Sequence, residues 1–226
     1  MRPYMGENQR DIFSSRLHEQ PARAQLEYYR IPHFEERMRY IWEPLLALNR
    51  SQAIVLRELD IIDASEAADI VAVLGELEAR VDVDEFDDYE SFEGPYFFIE
   101  DAVIEALGEE VGGKLHTGRS RNDLFAAAYR IAVRDGLLAV VNALLDLRAS
   151  LLGRAAETTD VVFPAFTHSQ PAQPITFAHY LLSFDHLLGR DFDRLTNAFE
   201  RTNQSPLGAA AIGGTGFPLD RDRLAD

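Results

Sequence analysis

The stretch that decides the fold runs from Asn122 to about Glu157 and reads NDLFAAAYRIAVRDGLLAVVNALLDLRASLLGRAAE. It holds no proline and no cluster of turn residues, and its apolar side chains fall on nearly every side of a helix axis. At 1.5 Å per residue such a helix would be roughly 50 Å long. A rod apolar on several sides must be covered on several sides, and this chain has too few other elements to wrap it. The pattern therefore predicts burial against other subunits.

Outward from this rod, Thr176 to about Thr202 carries a cleaner seam of Phe177, Leu181, Phe184, Leu188, Phe192, Leu195 and Phe199. That spacing keeps one face of a long bundle helix buried, and the two long helices are expected to run antiparallel. Before the first rod, Met38, Ile41, Leu45, Leu48, Ile54 and Val55 recur at helical spacing between Phe34 and Leu59, with Pro44 predicted to kink or split the segment. Asp63 to Val81 gives another helix, with Ala64, Ser65 and Glu66 in its first turn, and Phe97 to Glu110 a third, stopped by Gly112 and Gly113. The acid-rich run Asp82 to Glu93 reads as a solvated loop, and residues 1–30, with Tyr28 and Tyr29 near their end, as an arm lying on a neighbour. No strand-period alternation, repeat or low-complexity tract is evident, so the class is all-α. The expected organisation is an N-terminal helical domain over 1–110 and the first part of a central long-helix bundle over 111–226.

Composition narrows the function classes. The chain of 226 residues is 46% apolar and 27% charged, the balance of an ordinary globular protein. Its 38 Asp and Glu against 22 Lys and Arg give a net charge of −16, which excludes the basic footprint that nucleic acid requires. There is no cysteine, hence no disulfide framework and no thiolate metal site. The first residues lack the apolar core of a signal peptide, and no stretch reaches the roughly 20 apolar residues of a membrane span. The protein reads as soluble and cytoplasmic, with no membrane partner.

Three segments stand out chemically. Lys114 to Asp123 (KLHTGRSRND) is a polar loop running into the N-terminus of the long rod. Free backbone N–H groups and the positive dipole end favour an anion there, a carboxylate above all, and Ser120, Arg121 and Asn122 add donors. Ser120 or Asn122 could equally be a plain helix cap. Phe166 to Pro174 (FTHSQPAQP) is bounded by prolines and sets His168 among hydroxyl and amide groups, a setting suited to proton transfer or to polarising a carboxylate. A lone loop histidine can also be structural. Ser205 to Phe217 is glycine-rich but lacks the Gly-Lys-Ser/Thr ending of a P-loop, so a nucleotide reading fails and close helix-to-loop packing remains.

With these residues in place, the chain resembles the argininosuccinate lyase branch of the fumarase and aspartase superfamily. Lys114 to Asp123 is similar to its first signature, and Thr167 to Gln170 with Ala172 to Pro174 to its second. Ser205 to Gly208 and Phe217 to Arg221 match the stretch that normally follows. The resemblance implies three helical domains, central helices bundled into a homotetramer, and active sites shared between subunits. It implies a reversible β-elimination that releases fumarate from argininosuccinate to give arginine, with a dicarboxylate substrate and neither cofactor nor metal. It assigns catalysis to His168 and substrate binding to Ser120, Arg121, Asn122 and Thr167. Two departures are visible: the family's Phe-Asn-Ala-Ser-Ile segment has no counterpart in Tyr28 to Tyr40, and its Gly-Ser-Ser-x-Met-Pro-x-Lys-x-Asn loop, which carries the catalytic serine, is absent. The second leads to the expectation that the chain is a fragment or split subunit, inactive alone. Two alternatives follow: a related lyase acting on another N-substituted aspartate or amino-dicarboxylate, or a non-catalytic scaffold without the serine loop.

Overall fold

A computed structural model describes residues 22–89 and 92–225, which form two compact units, one built from residues up to 132 together with 205 onward, the other from 133–204. The division falls within the long rod, and Leu115, Leu124, Ala127 and Ala128 belong to the core of the first unit. Residues 1–21 of the expected arm lie outside the described residues. Residues 23–30 are helical: α1 (Arg23–Gln25) passes through a π-helical turn, Leu26–Arg30, into α2 (Ile31–Glu58), and Tyr28 and Tyr29 are exposed.

In the first unit α2 is the central element. Five of the six apolar positions read from its sequence are buried, and only Ile54 faces outward. Pro44 does not split the helix. It leaves the Tyr40 carbonyl without its usual donor, at about 3 kcal/mol for an interior proline. The surrounding Ile41, Leu45 and Leu46 are wholly buried, and each such side chain contributes about 1.5–3 kcal/mol, so packing outweighs the lost bond.

Helix α3 (Ala64–Arg80) packs Ile70 and Leu74 into the same core. Its start is a reciprocal cap: the Asp63 carboxylate accepts from the Ser65 and Glu66 amides, each at 2.8 Å, and Glu66 accepts from the Asp63 amide at 2.9 Å. Helix α4 (Pro95–Leu107) ends at Gly108, whose φ of 82° admits glycine readily, four residues earlier than the glycine pair suggests. Gly112 closes the following short α5 (Glu109–Gly112) against the α4 backbone, where a Cβ would lie 2.8 Å from the Ile104 Cα. The acidic loop is less solvated than its charge suggests. Tyr89 packs edge-on against Phe86 and Phe34, Phe86 lies tilted against Phe34, and Phe86 and Phe92 meet Phe98.

The two long helices are α6 (Arg121–Ala156) and α7 (Phe177–Thr202), unbroken as expected. In the second unit they run antiparallel, since Arg134 reaches Asn203 at 3.0 Å while Arg148 reaches Asp185 at 2.7 Å. Val140, Leu145 and Leu147 of α6 and Phe184 and Leu187 of α7 are exposed. By length and composition α6 is apolar enough to cross a membrane, contrary to the expectation from the sequence. Arg134, Asp135, Asp146 and Arg148 punctuate it, and the Arg148–Asp185 pair would be costly in lipid, so the apolar surface suits a protein neighbour.

Between the long helices the prolines gave no strand signal, yet β1 (Val162–Thr167) and β2 (Gln170–Thr176) pair antiparallel, with Pro164 opposite Pro174 and an irregularity between Pro164 and Phe166. Proline is tolerated at sheet edges, and in a two-stranded ribbon both strands are edges. The ribbon is a local addition to an all-helical fold.

Replacing Asp63 with Ala removes the acceptor for two helix N–H groups and is expected to lower stability by about 1 kcal/mol. Urea unfolding monitored by circular dichroism checks this, and an unchanged midpoint would refute the role of the cap.

Candidate active site

The loop that leads into α6 begins with a 3₁₀ turn over Gly113–His116 and bends at Gly118. Gly118 has φ of 75°, and a Cβ there would sit 3.1 Å from Leu219 Cδ1 and 3.4 Å from Phe217 Cδ2. Both the conformation and the space call for glycine. Lys114, the chain's one lysine, is tied to the α3 cap through Glu66 at 2.6 Å.

Ser120 caps α6: its Oγ accepts from the Asn122 amide at 3.2 Å, while its own amide donates to Asp123 Oδ1 at 3.1 Å. The other Asp123 oxygen accepts from the Ala210 amide at 2.7 Å, and the carboxylate is buried. The negative charge nearest this helix end is therefore the protein's own, which favours it electrostatically and anchors the glycine-rich segment to the loop. Of the neighbouring residues Asn122 is exposed, and Arg121 is half-buried with its guanidinium 4.7 Å from the Phe97 ring centre.

Arg119 turns inward. Its Nη2 donates to Asn49 Oδ1 and its Nε to His116 Nδ1 at 3.3 Å. Asn49 in turn donates to the Leu45 carbonyl at 2.8 Å, and Gln52 donates to the Thr117 carbonyl at 2.9 Å. His116 packs against Tyr96, which donates to Glu100 at 2.6 Å. Burial, with smaller contributions from Arg119 and Arg121, pulls the His116 pKa down to about 4, so the ring is neutral at pH 7. Because Nδ1 accepts from Arg119, its proton sits on Nε2. Burial first, then the Glu100 carboxylate, pushes the Tyr96 phenol far above its ordinary value. Burial also lowers the Arg119 pKa, to about 10, which leaves it charged at pH 7.

Asn49, Gln52, His116, Arg119 and Asp123 were not singled out from the sequence as site residues. A signal existed for two of them, since Asn49 and Gln52 interrupt the apolar stripe of Leu45, Leu48 and Leu56 on α2.

In the second unit Thr167 ends β1 and pairs with Gln170, which leaves His168 and Ser169 as a two-residue turn. Both have positive φ, 47° and 60°, as the I′ turn of a tight hairpin requires. Neither is glycine, so the turn is strained, a condition that often marks functional sites. Thr167 and His168 are exposed at the ribbon tip. The structure thus gathers Ser120, Arg121 and Asn122 in one unit and Thr167 and His168 in the other. Among the described residues no three His, Cys, Asp or Glu converge as a metal site.

Long antiparallel helices, with one polar loop at a helix start and another before the next, define a helical-bundle scaffold. The family model described as Lyase matches residues 8–226. Argininosuccinate lyase from Natronomonas pharaonis is 47% identical over 186 residues, covering 82% of this chain and 37% of the relative. The enzyme of the same name from Methanosarcina acetivorans is 40% identical over 188 residues, 83% of this chain and 38% of the relative. This chain thus spans less than two fifths of the length of these relatives. A structure of EDDS lyase with bound fumarate is 32% identical with a TM-score of 0.74, covering 92% of this chain and 41% of that one. A carboxymuconate cycloisomerase from Acinetobacter calcoaceticus, at 20% identity and TM-score 0.68 over 90% of this chain and 48% of that one, shares the fold. The chain belongs to the lyase family, in the argininosuccinate lyase branch of the fumarase and aspartase superfamily.

The neutral His116 gives a pH signature. Its folded pKa of about 4 lies below the ordinary 6.5, so the unfolded chain takes up the proton more readily. The stability that His116 contributes is complete above pH 6.5 and is lost as pH falls through 4. Removing the ring with His116→Asn should flatten that part of the stability–pH curve relative to the parent; parallel curves for the two proteins would contradict the assignment.

Proposed function

We propose that the protein is a C–N lyase that releases fumarate from argininosuccinate and leaves arginine, acting in arginine biosynthesis in the cytoplasm. The observation that carries the reading is the KLHTGRSRND loop at the start of α6, with Asn122 exposed beside Arg121, in a chain 40–47% identical to enzymes named argininosuccinate lyase. β-Elimination begins with loss of the proton beside a carboxylate, and charge collects on that carboxylate before the C–N bond breaks. The expensive species is this doubly charged intermediate, so preorganised donors dominate catalysis. Ser120 and Arg121 are proposed to contact a substrate carboxylate, Asn122 and Thr167 to bind the substrate, and His168 to move or direct the proton.

The exposed apolar surfaces of α6 and α7 support a homotetramer. Sharing of active sites between subunits would bring a His168 and an Asn122 from different chains to one substrate. A second reading, a lyase for another N-substituted aspartate, is favoured by the unmatched Tyr28 to Tyr40 segment and by the likeness to EDDS lyase. Assay of the native assembly with argininosuccinate and with other N-substituted aspartates separates the two. Fumarate release from argininosuccinate supports the first; release only from other substrates supports the second.

His168→Asn is expected to lower kcat by about 10²- to 10⁴-fold with little change in KM, because a proton-transfer group acts as charge develops. Asn122→Ala should alter both parameters, since its donor meets the substrate before and during reaction. Steady-state kinetics decide this, and a kcat within about threefold of the parent for His168→Asn would withdraw that residue's role.

A further inference from the structure

Asn49 and Gln52 lie on the buried stripe of α2, 1% and 3% exposed, where Leu or Met would pack without any polar demand. An amide buried without partners is costly, so such groups persist only where their hydrogen bonds are made. Each makes one bond outside its own helix, and both go to the same short loop. Gln52 Nε2 donates to the Thr117 carbonyl at 2.9 Å, and Asn49 Oδ1 accepts from the Arg119 guanidinium. Thr117 and Arg119 flank Gly118, whose φ of 75° sets the bend of the loop. The chain is thus gripped on both sides of its turn, immediately before Ser120, Arg121 and Asn122. Asn49 is itself oriented by its bond to the Leu45 carbonyl, and Arg119 by His116 Nδ1.

We propose that Asn49 and Gln52 are positioning residues for substrate binding: acting through Arg119 and the Thr117 carbonyl, they fix the direction in which the loop enters α6 and hence where Arg121 and Asn122 meet a substrate carboxylate. This rests on the lyase reading above. A purely structural role predicts loss of stability alone, whereas a positioning role predicts weaker substrate binding in a protein that still folds.

The test uses the native assembly. Asn49→Leu keeps the branched skeleton and removes the acceptor, Asn49→Asp keeps an acceptor for Arg119, and Gln52→Met removes the donor to Thr117. Asn49→Leu and Gln52→Met are expected to raise KM about tenfold or more, with a smaller change in kcat, and Asn49→Asp to recover most of the loss. Leu74→Ala, a core truncation on α3 away from the loop, controls for destabilisation and should leave KM unchanged. The proposal is overturned if Asn49→Leu and Gln52→Met keep KM within about twofold of the parent, if Asn49→Asp is no better than Asn49→Leu, or if Leu74→Ala raises KM equally. Should Asn49→Leu fail to fold, Gln52→Met carries the same comparison. If the parent releases no fumarate from any substrate, the lyase reading fails separately. The clamp is then judged by the ¹⁵N shift of His116 Nδ1, which should lose its hydrogen-bond acceptor signature in Asn49→Leu; an unchanged shift overturns it.

Discussion

Arg119 carries a full positive charge into a packed region, and a guanidinium there must find acceptors or cost several kcal/mol. Much of the first unit can be read as the answer to that demand. Asn49 offers its carbonyl oxygen from the middle of an otherwise apolar helix face, and His116 offers Nδ1 from one turn earlier in the loop. The histidine can accept only while neutral, and the same burial that makes Arg119 demanding keeps it so. The two residues therefore depend on one another. A protonated His116 would lose its acceptor and place two cations side by side.

The start of α6 shows a division of labour that follows from this anchoring. The backbone amides of Ser120 and Asn122 are satisfied within the chain by Asp123 and the Ser120 hydroxyl, and the second Asp123 oxygen holds Ala210. Helix-end anion binding of the simplest kind, by bare amides, is thus partly used up internally. On the proposed function, recognition by the loop falls to side chains, Arg121 and Asn122, on a backbone gripped from below through Thr117 and Arg119. Side-chain donors on a fixed backbone discriminate by geometry, and a planar fork such as Arg121 suits a carboxylate particularly well.

Much of the fold was legible because periodicity is a direct consequence of burial. The proline-free run of α6 and the phenylalanine seam of α7 announce long helices whatever surrounds them, and their boundaries lie within a residue or two of expectation. Other features depend on partners that sequence does not order. Pro44 reads as a break until the burial of Ile41 and Leu45 is weighed against one missing bond. The acidic loop reads as solvated until Phe86, Tyr89 and Phe92 are seen to face Phe34 and Phe98, because the density of charge masks the three aromatics. The loop before α6 was visible as a motif, but the residues that hold it were not. Asn49 lies 70 positions from Arg119 in the chain, and nothing local links them.

The ribbon of β1 and β2 makes the same point from the opposite direction. Pro164, Pro171 and Pro174 remove donors from its ladder, so the strands hold each other weakly, and the I′ turn at His168 and Ser169 adds about 1–3 kcal/mol of strain per residue. Local preference alone would not choose this conformation. Its base is secured instead: the Phe177 amide donates to the Val161 carbonyl at 2.9 Å, and Phe163 packs on Phe177 and Tyr180 at ring separations of 5.5 and 5.4 Å. A ribbon pinned at its foot and strained at its tip presents His168 outward without burying it among its own neighbours. Such a design is uneconomical for a histidine that merely fills a loop, and it suits one whose contacts are completed by something that docks against the tip.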